Sequence, residues 1–231
     1  MLILAIDTAL EACAAGVLDT SSASVIAQQS LAMKRGHAEA LVPLIAQVMA
    51  QSGVDYAALD RIAVTTGPGS FTGLRVGLSA ARGIGLAADK PVVGLSTLAA
   101  YAAPLVSDNT GTPIIAAIDA RHDHLYYQVI AGDGTTLLRP RVAPLDEVFD
   151  ALEHGAPRLV GNAAALLAQR WPADAPPPLS VLDAPAPDIA WVGWLGAAVS
   201  PGSAPARPFY LRAPDAKPQS SPLRFAPQPP A

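Results

Sequence analysis

Apolar positions open the chain in short runs of strand length and then switch to helical spacing. Residues 2–6 (LILAI), 12–18 (ACAAGVL) and 24–32 (SVIAQQSLA) predict three strands joined by short connections, the start of an antiparallel meander. From His37 to Gln51 the apolar residues Leu41, Leu44, Ile45, Val48 and Met49 recur on one helical face. Pro43 lies within that stretch, so the helix is expected to begin later than His37 or to kink near its first turn. "RIAVTTG" predicts a fourth strand, followed by the glycine turn "GPGS" and a helix from about Phe71 to Ala88. "KPVVGLS" predicts a fifth strand, and Ser96 or Thr97 can cap a short helix over Leu98 to Leu105. A meander followed by crossover helices requires a mixed sheet with helices on its faces.

The second half repeats the opening in shorter form. "GTPIIAAIDA" is again an apolar strand ending on an aspartate, Asp119, as the first strand ends on Asp7. "HLYYQVIAGDGTTLL" reads as a hairpin turning at Gly132 to Gly134, "PLDEVFDAL" as a short amphipathic helix, "PRLVGN" as a strand and "AAALLAQRW" as a helix. Residues 172–187 are proline-rich and read as a linker or extended surface loop. "DIAWVGWLGAAV" predicts a last helix with Asp188 at its positive end. The division expected is an α/β lobe over 1–105, a smaller related lobe over 106–212 and a flexible tail over 213–231.

Composition narrows the classes of function. The 231 residues are 51% hydrophobic and 15% charged, as a folded domain with a sizeable core would be. The formal net charge of −4 leaves no overall attraction to phosphate backbones, although it permits a local basic patch. The single cysteine, Cys13, excludes an internal disulfide framework and reads as a small core residue. "MLILAIDT" carries no basic leader and reads as a buried strand, and the weakly polar stretch 73–88 is interrupted by Arg75 and Arg82. A cytoplasmic protein without membrane contact is expected.

Candidate chemistry concentrates in two places. Asp7 and Thr8 end the first strand, where an aspartate can bind a metal-bridged phosphate and a hydroxyl can donate to phosphate oxygens, or both can simply cap a turn. In "GPGSFTGLRVG" Gly67 and Gly69 suit a tight turn, Ser70 is an N-cap, and the free amides beyond it could take an anion. Leu74 and Arg75 stand where a P-loop needs Lys and Ser or Thr, so the Walker pattern fails. Gly73, Gly77 and Ala81 fall at i, i+4 and i+8, a smooth stripe that favours close packing of another backbone. His37 lies with Glu39 at the entry to the first helix and reads as a surface or interface hydrogen-bonder, and alternation would set His122 and His124 on one strand face. No metal triad or activated nucleophile for a peptidase can be assembled.

"LAIDT", "GHAEALVPLI", "IAVTTGPGSFTGLRVGLSAARGIGLA", "PVVGLSTL", "AAIDAR" and "PFYLR" together resemble the TsaB (YeaZ) family over about residues 1–212. The resemblance implies an actin-like, sugar-kinase-like and Hsp70-like fold of the ribonuclease H-like class, with two related lobes of which the second is reduced. It implies a non-catalytic subunit that binds TsaD, the enzyme that transfers threonylcarbamoyl to adenosine 37 of tRNAs reading codons that start with A. TsaE would join through the TsaB–TsaD complex, tRNA would be met only within it, and the isolated chain could form a homodimer. The two metal-binding histidines of TsaD-like proteins fall here on Thr97 and Tyr101, so neither metal nor cofactor is expected. Ala9 replaces a serine common in the family, which leaves Asp7, Thr8, Gly67 and Gly69 as a vestigial nucleotide site. The partner interface is expected on the two helices of the first lobe, through Leu41, Leu44, Ile45, Val48, Leu74, Arg75, Gly77, Leu78 and Ala81. On that placement Gly77→Leu would block docking and leave the monomer folded. The alternative is an ATP-dependent acyl or phosphoryl transferase of the same fold that uses Asp7 and the glycine turn.

Overall fold

The computed structural model describes residues 1–108 and 110–212; the expected tail over 213–231 lies outside the described residues. Strands β1 (Leu2–Asp7), β2 (Ala12–Asp19), β3 (Ser24–Ala32), β4 (Arg61–Gly67) and β5 (Val92–Ser96) form one sheet in the order β3-β2-β1-β4-β5. The meander β1-β2-β3 is antiparallel, and β4 and β5 join it in parallel after crossovers. Alternation along β1 explains how one strand serves two layers. Leu4 and Ile6 face a core shared with α1 (His37–Ser52) and α2 (Phe71–Ala88), whereas Ile3 and Ala5 face the core beneath α5 (Ile189–Ala198).

A second sheet contains β6 (Ile114–Asp119), β7 (His124–Ile130), β8 (Thr136–Pro144), β9 (Arg158–Gly161) and β10 (Ser180–Asp183). Its order, β10-β9-β6-β7-β8, reproduces that of the first sheet strand for strand, with the same parallel and antiparallel pairs. The repeat suggested by the strand-to-aspartate junctions is therefore present: Asp7 and Asp119 close the equivalent strands β1 and β6. Helix α3 (Thr97–Ser107) lies between the sheets. Its Leu98, Tyr101 and Leu105 join Ala9, Leu10 and Leu74 of the first lobe to Ile114, Ala116 and Ile118 of the second. The second lobe is reduced to α4 (Ala164–Gln169) and a 3-10 segment, Leu145–His154, as its flanking helices.

Four expectations are corrected. Of the two alternatives for α1, the later start is corrected: the helix begins at His37 with Pro43 inside it, because five buried apolar residues anchor it and Pro43 lies on the exposed face. "PLDEVFDAL" winds as a 3-10 segment and not as an α-helix. The proline-rich stretch contains the short strand β10. Helix α5, although it falls within 106–212, returns to the first sheet, where Arg61 donates to the carbonyls of Gly196 (2.7 Å) and Val199 (2.6 Å) at its C-terminal end.

Gly196 allows α5 to approach the sheet, since a Cβ there would overlap the Cβ of Ala63. Gly196→Ala would gain about 1 kcal/mol of helix propensity but lose about 1–3 kcal/mol to overpacking against a rigid strand. Net destabilisation is expected in urea unfolding, and a more stable variant would contradict this packing.

Candidate functional site

The end of β1 and the start of α2 form one tightly built junction. Ser70 donates its amide to the Ala9 carbonyl (2.7 Å), and its hydroxyl caps α2 by accepting from the Gly73 amide (3.3 Å). The Thr8 hydroxyl donates to the Gly73 carbonyl (2.7 Å). A Cβ on Gly69 would run into the Ala9 carbonyl, and one on Gly73 into the Thr8 carbonyl. A Cβ on Gly77 would stand 2.5 Å from Thr8 Oγ1. The small-residue stripe therefore serves close packing as expected, but the backbone it admits belongs to this chain.

That placement corrects the nucleotide-contact reading of Asp7 and Thr8 and leaves the turn-capping one. Asp7 and Thr8 are buried and do not line the interlobe cleft. Asp7 Oδ1 accepts from the Thr65 hydroxyl (2.5 Å) and the Ala9 amide (3.1 Å), while Oδ2 has no hydrogen-bond partner among the described residues. Burial raises the Asp7 pKa, opposed by the Thr65 hydrogen bond. Thr97 and Tyr101 are also buried, and the Tyr101 hydroxyl donates to the Ala184 carbonyl (2.8 Å).

The expected interface residues are corrected in the same way. Leu41, Leu44, Ile45, Val48, Leu74, Gly77, Leu78 and Ala81 are buried within the chain, and of the nine only Arg75 is exposed. Gly77→Leu would strike Thr8 and Val64 of its own lobe, so it tests folding and not docking. What α1 and α2 turn outward is a shallow groove of about 470 Å³, lined chiefly by Ala38, Val42, Phe71, Thr72, Arg75, Val76, Ser79 and Ala80. The missed signal was in the sequence: Val42, Phe71 and Val76 are apolar yet lie off the buried stripe.

A second concavity, about 530 Å³, opens between the lobes. Gly69, Ser70 and Phe71 line it from the first lobe, and Asp119, Arg121, Tyr126 and Asn162 from the second. Lys34, Arg35 and Arg212 give it a basic rim, with Lys34 3.7 Å from Glu11. Gly67, at φ +116, instead leaves room for the Phe209 carbonyl. His37 lines the cleft and bonds through Nε2 to the Leu10 carbonyl (2.9 Å), the helix-start role expected of it. His122 and His124 do not share a strand face. Arg121, His122 and Asp123 all adopt positive φ in a left-handed turn, and β7 begins only at His124. Among the described residues no group of three or more His, Cys, Asp or Glu side chains could hold a metal ion, and no helix is long and apolar enough to cross a membrane.

With this geometry in hand, similarity to known proteins decides the family. The family model of TsaD, tRNA N6-adenosine threonylcarbamoyltransferase, matches residues 24–184. The solved structure of YeaZ from Pseudomonas aeruginosa is similar to this chain at a TM-score of 0.75 and 27% identity, over 91% of this chain and 99% of that one. This chain belongs to the TsaB/YeaZ group of the TsaD-like family. The TsaB of Escherichia coli K12 is 38% identical over 127 residues, 55% of this chain and 54% of that protein. The chain thus spans about half the length of that relative, and likewise of the TsaB of Haemophilus influenzae. An uncharacterized protein of Mycobacterium tuberculosis is 34% identical over 219 residues, 94% of each chain. The expected two-lobed actin-like fold stands with this membership.

The buried Asp7 generates a pH prediction. Its raised pKa means that the folded chain binds its proton more tightly than the unfolded chain, so this group makes stability fall as pH rises above the ordinary carboxylate range. In Asp7→Asn that contribution is absent. The stability of the variant relative to wild type should therefore increase as pH rises above the ordinary carboxylate range, about pH 4, in urea unfolding, and a difference independent of pH would contradict it.

Proposed function

We propose that this chain is a non-catalytic subunit of the machinery that makes N6-threonylcarbamoyladenosine at position 37 of tRNAs reading codons that start with A. It binds and supports the catalytic subunit TsaD, meets tRNA within that complex, and meets TsaE through it. The observation that carries the reading is the apolar groove on α1 and α2, where Val42 is 64% exposed. The family resemblance assigns the partner to these same two helices; the side chains available for it are those of the outer face. Large apolar residues grouped on one exposed surface are suited to burial against another protein.

The rival reading, an ATP-dependent acyl or phosphoryl transferase, draws on the interlobe cleft with its glycine turn and basic rim. It loses the two side chains it most needs, because Asp7 and Thr8 are engaged inside the first lobe. Calorimetric titration with ATP and magnesium is expected to give no turnover by the isolated chain; turnover would favour the rival.

Val42→Asp separates docking from folding. The site is open to solvent, so the monomer keeps its melting temperature, whereas docking would bury an unpaired carboxylate. The expected loss is at least about 2 kcal/mol, or roughly thirtyfold in affinity for TsaD from the same organism, with a matching loss of adenosine modification in the reconstituted system. Wild-type affinity of this variant would overturn the groove as the docking surface.

A further inference from the structure

Two residues of the groove, Phe71 and Arg75, are held by a segment from the far end of the described chain. Residues 204–212 run back over the first lobe. The Ala204 carbonyl accepts from the Gly94 amide (2.9 Å), Pro205 bridges Val93, and the Phe209 amide donates to the Thr66 carbonyl (2.8 Å). Arg82 of α2 donates through Nε to the Ala206 carbonyl (3.1 Å), and Arg212 reaches the Ala120 carbonyl of the second lobe (3.3 Å). Gly67 and Gly94 make room for this strap, since a Cβ on either would meet its backbone within 3 Å.

The strap delivers Tyr210 to the N-terminal turn of α2. The Tyr210 ring stacks on Phe71 with centroids 5.3 Å apart and planes at 30°. The Arg75 guanidinium lies 3.8 Å above the centre of the Phe71 ring, and its Nε donates to the Tyr210 hydroxyl at 3.3 Å. Arg75 is thus fixed in plane and in rotation by two aromatic neighbours, yet among the described residues it forms no ion pair. Nε is occupied by Tyr210, which leaves the Nη1 and Nη2 edge to receive a carboxylate side by side.

We infer that the Arg75, Phe71 and Tyr210 cluster is a preorganised receptor for a carboxylate on an apolar helix of the partner subunit. The inference rests on the groove being the docking surface proposed above. Charge argues for a different chain over a second copy of this one. A two-fold interface sets a patch against itself, and this groove is lined by an arginine and no carboxylate. A partner helix with an Asp or Glu opposite Arg75 supplies what the groove lacks, and the fixed guanidinium loses little freedom on pairing.

The test is titration calorimetry of the full chain against TsaD of the same organism at low and high salt, with melting curves confirming that each variant is folded. Arg75→Ala should weaken binding by at least about tenfold and reduce its salt dependence. Arg75→Lys should not restore it, because an ammonium cannot stack and pair in one plane. Tyr210→Phe keeps the ring and removes only the hydroxyl, and should cost about threefold by loosening Arg75. One partner carboxylate should show coupling to Arg75 in a double-mutant cycle. If Arg75→Ala binds as wild type while Val42→Asp does not, the receptor is overturned and the groove stands. If both bind as wild type, the groove falls and the receptor with it. Full rescue by lysine would overturn the preorganised pairing.

Discussion

The seat of α2 on the exit of β1 is the constraint on which the rest of the structure depends. Thr8 and Ala9 lie against Gly69, Gly73 and Gly77 so closely that a side chain at any of the three would collide with them. The hydrogen bonds from Ser70 to Ala9 and from Thr8 to Gly73 lock that approach. Because α2 sits so low on the sheet, its Leu74 and Leu78 reach the core, and its other face is left level with α1 as one continuous outer surface. The same contact turns Asp7 and Thr8 inward, which removes them from the cleft.

The two lobes are held together by their own chain at two levels. The two sheets repeat each other, and the space between them is bridged by α3 below and by the strap at the mouth. The strap ties the first lobe to the second through Arg212 and stacks Tyr210 on Phe71 of the outer groove. Phe71 lines both the cleft and the groove, so one side chain belongs to the interlobe mouth and to the proposed docking surface at once.

Much of this was legible in the sequence, for identifiable reasons. Helix α2 was readable to its ends because Ser70 is a capping residue after a glycine turn, and Asp188 announced α5 in the same manner. Short apolar runs of strand length placed the meander, and the two strands ending on aspartate disclosed the repeat. The facing of α1 and α2 was misread because periodicity marks the stripe that is most apolar, and that stripe is the core. An interface has to be sought among the apolar residues left over, here Val42, Phe71 and Val76. The short strand β10 was hidden by the prolines around it, and the return of α5 to the first sheet depends on long-range packing that no local pattern records. Arg61, which caps α5 across the chain, and Tyr210, which holds Arg75, acquire their roles only once distant segments meet.

Thiol protection tests most directly whether the outer face of α1 and α2 meets the partner. Cys13 is buried, so a single cysteine introduced at position 42, 76 or 137 supplies the reactive thiol in each variant. Maleimide labelling of the free chain should be rapid at position 42, which lies in the open groove, and at position 137, which lies on the second lobe. On addition of TsaD, positions 42 and 76 should become protected while position 137 stays reactive. A complex in which position 42 labels as fast as in the free chain would contradict the account.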